Sequence, residues 1–182
     1  MEQQGIFERP MVKWGLYLGG LNVAYILVLY LIDVSLLISF WNSAISLVLL
    51  VTFMVLAMKE DRSAKGGGLS YGQGVVTGLV VGVISSIIGV IFNAILYNYI
   101  DPTLPETIRE LTLEKTLGMM ESMGASEETI DQAMGNMDER QFKQDIRASF
   151  TALLITSIFS AFVALIVAAF VKKEAPLFEE EA

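Results

Sequence analysis

The chain has 182 residues, a formal net charge of -8 and 54% hydrophobic residues, with a mean hydropathy of +0.58. It has no cysteine and no histidine, which removes a disulfide framework, thiolate chemistry, the usual general base near neutral pH and the commonest metal ligand. No Ser–His–Asp, Cys–His or metal-hydrolase constellation can be assembled, and no clustered Lys and Arg surface suggests nucleic acid; no catalytic, cofactor or metal residue is singled out.

Four uncharged apolar runs divide the sequence: Trp14–Ile32, Val34–Met58, Gly66–Ile100 and Ala148–Val171. Each is long enough for a bilayer core, which takes ~20 apolar residues. They predict an all-α membrane protein of one domain over 1–182, with four transmembrane helices and an amphipathic helical extramembrane segment between the third and fourth. The first span is expected at 14–32. It follows Arg9 and Lys13, carries Trp14 and Tyr17 at the interface, and reads as a retained signal-anchor. Asp33 is an interfacial stop before a short turn. The second span is expected at 41–58, stopped by the cluster Lys59, Glu60, Asp61, Arg62 and Lys65. The glycine-rich stretch Gly66–Gly74 lacks the lysine of a phosphate loop, so Leu69–Gly74 is read as an interfacial elbow. The third span is placed at 75–97, closed by Asp101-Pro102.

The segment 101–147 holds 11 of the 20 acids and five bases. Glu106–Met123 is rich in helix formers and Gly124 ends it. Ser126 before Glu127 and Glu128 is an N-cap with acids in the first turn, followed by Ile130, Ala133, Met134 and Met137 on one face. Asp138 and Gln141 resemble a capping box leading into the fourth span, 149–171. The acids solvate the segment or offer a docking surface. Met119, Met120, Met123, Met134 and Met137 pack or, alternatively, bind a soft metal. An acidic tail, 174–182, follows.

Gly74, Gly78 and Gly82 repeat every four residues in the third span, and Gly15 and Gly19 do so in the first. Small residues at this spacing let helices approach closely in lipid, within one chain or across a homo-oligomer seam. The polar residues inside the spans are uncharged. Asn22 and Asn93 can hydrogen-bond across helices, to each other among the options, or line a substrate path. Seven Lys and Arg flank the spans on the side of the termini, against five spread along the long loop; the positive-inside rule puts both termini in the cytoplasm.

Lys13-Trp14-Gly15, Gly66–Gly68, Leu69-Ser70-Tyr71-Gly72-Gln73, Asp101-Pro102 and Gly124-Ala125-Ser126-Glu127-Glu128-Thr129-Ile130 occur in an order that resembles the domain of unknown function 4199 family, over about Lys13 to Lys173. These are small four-span membrane proteins, mostly from Bacteroidota. The resemblance implies a bacterial inner membrane and assigns no activity. The leading expectation is a non-enzymatic structural or interaction protein that presents its acidic segment to a periplasmic partner. The alternative is a small transporter or channel subunit working as an oligomer. A cavity reaching Asn22 or Asn93 favours the alternative; a closed apolar bundle favours the scaffold.

Overall fold

A computed structural model describes residues 9–135 and 146–173. Their regular structure is helical, with no β-strand beyond one isolated bridge. The helices are α1 (Pro10–Ile32), α2 (Phe40–Ala64), α3 (Tyr71–Ile95), α4 (Leu104–Ser122), α5 (Glu127–Gly135) and α6 (Ile146–Val171). A π-helical turn, Leu96–Ile100, extends α3. Four helical stretches are long and apolar enough to cross a membrane, by length and composition: Pro10–Ile32, Phe40–Ala64, Tyr71–Ile100 and Arg147–Val171. A multi-pass membrane protein accounts for them.

Local chemistry sets the boundaries. Pro10 opens α1 at the first helical position, where its missing N–H costs nothing. Asp33 follows α1, and its carboxylate accepts the Ser35 N–H at 2.7 Å. That bond starts the 3-10 turn Val34–Ile38. α2 runs on through the charged cluster to Ala64, where Glu60 finds partners on α1 and Asp61 on α3. Gly66 and Gly67 then take φ of 75° and 94°, a left-handed geometry that glycine adopts without steric penalty. α3 begins at Tyr71, ahead of the expected Val75, because Ser70 and Gln73 close a reciprocal capping box.

Gly124, φ 74°, turns the chain between α4 and α5. Ser126 Oγ accepts the Thr129 N–H at 3.4 Å as α5 begins. The expected Asp138–Gln141 box, Met137 and the 174–182 tail lie outside the described residues.

In the bundle, α3 packs against α1, α2 and α6, meeting α1 through Ile84 and Ile88 and α6 through Gly74, Gly78 and Gly82. We call the end holding the starts of α1 and α3 and the close of α2 and α6 the terminal end; the opposite one is the loop end. The main core, including Leu18, Met54, Met58, Val81, Ala164 and Ala168, lies in the terminal half. A two-bond backbone bridge also closes that end: Leu69 N–H donates to Lys173 O (2.7 Å), and Lys173 N–H to Leu69 O (3.0 Å).

Candidate functional site

The glycine rows explain how the terminal half closes. A Cβ added at Gly15 would lie 2.9 Å from Ile84 Cβ, and one at Gly19 would lie 2.4 Å from Ile88 Cδ1. These two positions set α1 against α3. Along α3, added Cβ atoms would come within 3.1 Å of Ala168 Cβ at Gly74, 2.9 Å of Ala164 Cβ at Gly78 and 2.5 Å of Ser160 Cβ at Gly82. Both rows are occupied within the chain, and the backbones approach where dispersion is the main attraction in lipid.

A group of paired charges lies at the same end. Asp61 is 4% exposed. Its carboxylate accepts Thr77 Oγ1–H at 2.8 Å and the Lys65 ammonium at 2.7 Å. Glu60, one residue earlier, pairs with Lys13 and accepts Trp14 Nε1–H at 2.7 Å. A buried carboxylate is costly unless paired and hydrogen-bonded, and Asp61 is both. These residues tie α2 to α1 and α3; read from sequence they were only the stop after the second span.

The loop half is different. All four spanning helices border a cleft of about 630 Å³, within the range of small-molecule sites. α1 contributes Asn22 and Ile26. α2 contributes residues between Phe40 and Leu50, including Asn42, Ser43 and Ser46. α3 contributes Gly82, Ser85, Ser86, Gly89, Val90 and Asn93, and α6 contributes Ala152, Thr156, Phe159 and Ser160. None of these side chains is charged. Asn22 and Asn93 thus share one cleft, but Asn22 Nδ2 donates to Ser85 Oγ, at 3.4 Å.

Several lining donors are already committed. Ser86 Oγ–H donates to Gly82 O and Thr156 Oγ1–H to Ala152 O, each at 2.8 Å. Asn42 Nδ2 donates to Leu37 O at 2.7 Å, which orients the amide and leaves Oδ1 sheltered without a protein partner. Hydroxyls that bond back to their own helix keep lone pairs free to accept.

The loop end of the α1–α3 pair is anchored. Tyr30 O–H donates to Asp101 Oδ2 at 3.1 Å. Asp101 also accepts the Thr103 hydroxyl (2.7 Å) and N–H (3.1 Å). The Thr103 hydroxyl foremost, then the Tyr30 hydroxyl and backbone N–H groups, hold the Asp101 carboxyl below the usual aspartate value. Among the loop methionines, Met119 on α4 and Met123 just after it are exposed; the side chains of Met134 and Met137 lie outside the described residues.

The family model described as "Protein of unknown function (DUF4199)" matches residues 13–173. The chain belongs to this family. No curated protein and no solved structure matches it. The family match begins at the Lys13 that pairs with Glu60 and ends at the Lys173 of the backbone bridge. All four walls of the cleft therefore lie inside it.

Asn42 and Asp61 are the residues that sequence reasoning missed. Asn42 and Ser46 share a helical face four residues apart, as do Ala152, Thr156 and Ser160. That spacing of small and polar residues was a usable signal.

Proposed function

We propose that this protein is a non-enzymatic membrane protein that binds a small uncharged solute in the loop-half cleft and passes it on, as a transporter or channel subunit does. The observation that carries this reading is the polar-lined cleft reaching both Asn22 and Asn93, the feature that favours passage over a closed scaffold. Absence of charge in the lining argues against an ion pathway built on buried ionisable residues. The Lys and Arg distribution supports termini in the cytoplasm of a bacterial cell, with the cleft toward the periplasmic half of the inner membrane. An oligomer would associate through surfaces other than the two glycine rows, which are filled within the bundle.

The chain has no cysteine, so one introduced thiol reports alone. Ser86→Cys in reconstituted vesicles is expected to react with a small water-soluble thiol reagent, and Gly89→Phe in the same chain to suppress the reaction. An unreactive Ser86→Cys, in a protein that still unfolds cooperatively, would remove the solute-binding reading.

A second reading has its own observation. Glu106, Glu110 and Glu114 recur every four residues on α4, and all three are exposed, as are Glu127, Glu128 and Asp131 on α5. This acidic surface suits a basic protein partner, the scaffold role. Loss of a co-purifying protein on Glu→Gln replacement at the three α4 positions would support it.

A further inference from the structure

We infer that the solute is a neutral, hydroxyl-bearing lipid that reaches the cleft sideways from the bilayer, between α2 and α6. This rests on the solute-binding reading above and specifies its ligand. The first ground is the rim. Phe40, Leu47 and Phe159 line the cleft and are also 79%, 42% and 50% exposed. The lining is therefore continuous with the lipid-facing surfaces of α2 and α6. Neither helix has a buried residue in the loop half of its span: the buried residues of α2 begin at Met54 and those of α6 at Ser160. The rim of the cleft on these two helices is thus apolar and exposed, and a molecule with an apolar body reaches it without leaving hydrocarbon.

The second ground is the hydrogen-bonding balance. Ser86 and Thr156 have spent their donors on their own helices, and Asn22 and Asn42 have each committed an amide N–H. Ser43, Ser46, Ser85, Asn93 and Ser160 also line the cleft and can both donate and accept. A ligand whose O–H groups donate as well as accept meets this lining on both counts; an ether meets only its donors and leaves the spare acceptors unpaired. A charged headgroup would meet no counter-charge in this lining, and burying an unpaired charge is strongly unfavourable.

The probe is a photoreactive monoacylglycerol, neutral with two free hydroxyls, added to full-length protein in phosphatidylcholine vesicles. Labelling is expected to saturate and to map to α2 and α6 near Phe40–Leu47 and Ala152–Phe159. Unlabelled monooleoylglycerol should displace it, while its dimethyl ether, which has no O–H, should compete about tenfold more weakly. Gly89→Phe should abolish the saturable labelling. Gly20→Phe, whose added Cβ also meets nothing within 4 Å but which lies outside the cleft lining, should leave it unchanged. Non-saturable labelling, equal competition by the dimethyl ether, or competition by free glycerol as strong as by the lipid would each overturn the inference. If one of these occurs while Ser86→Cys still reacts with the water-soluble reagent, the solute-binding reading stands and only the lipid assignment falls.

Discussion

A Cβ placed on Gly78 would lie 2.9 Å from Ala164 Cβ, whereas one placed on Gly89, eleven residues further along α3, would meet nothing within 4 Å. The same helix is thus packed to contact in one half and left open in the other. In lipid the solvent around a helix is as apolar as its neighbour, so close packing and polar bonds carry association. The terminal half uses both: interlocked glycines, and the Asp61–Thr77–Lys65 and Glu60–Lys13–Trp14 groups. The loop half holds α1 to α3 through Tyr30 and Asp101 and leaves a cleft bordered by all four helices. Close packing at one end and a cleft at the other therefore depend on separate residues, which substitutions can separate.

The sharpest contrast is between two glycines on α3. Gly78→Leu should destabilise the bundle by about 3 kcal/mol, the upper range for overpacking, or prevent folding. Gly89→Leu should stay within about 0.5 kcal/mol of the parent, as a substitution away from packed features does. Denaturant titration in mixed micelles measures both, and equal losses would erase the distinction between the halves. A smaller effect is expected from Thr77→Val, which removes a donor to the buried Asp61 carboxylate. Hydrogen bonds to charged groups are worth roughly 1.5–3 kcal/mol, so a loss of about 2 kcal/mol should appear in the same titration. No change would mean that Lys65 alone satisfies Asp61.

The smallest effect belongs to the loop end. Asp33 is held below the ordinary aspartate value, first by the Ser35 backbone N–H, then by the Ser35 side chain and the positive charge of Lys115. A lowered folded-state value means that the stabilisation is complete above the unfolded aspartate pKa. It is lost as pH falls through the lower folded value. Protection of the Ser35 amide, measured relative to core amides at the same pH, should therefore fall on acidification below the aspartate range and lose that dependence in Asp33→Asn. Core amides around Met58 and Ala164 serve as the reference.

The apolar runs made the four spans legible because a bilayer demands length and apolarity, and both are properties of a sequence read in order. The end of α2 was less legible. Lys59 to Lys65 reads as a stop, but Asp61 is buried because Thr77 on another helix donates to it, and no local pattern encodes that pairing. The cleft was legible only in pieces. Ser43, Ser46, Ser86, Asn93 and Thr156 stand out as polar residues within apolar runs, yet they form one site only where four helices bring them together. The glycine rows showed where close approach occurs and left open which helix approaches; Ile84, Ile88, Ala164 and Ala168 supply the answer.

The backbone bridge between Leu69 and Lys173 has a mechanical meaning. Two antiparallel hydrogen bonds hold the end of α6 to the lead-in of α3, and the Tyr71 hydroxyl donates to Leu165 O at 3.3 Å, about two turns from that end. This clamp fixes the last turns of α6 to the lead-in of α3 at the end away from its cleft-lining residues Ala152, Thr156 and Phe159, so the placement of that wall depends partly on main-chain groups. Because the clamp is made of main-chain groups, side-chain changes at Leu69 or Lys173 should leave its two bonds in place, whereas Lys173→Pro removes the Lys173 N–H and with it one of them.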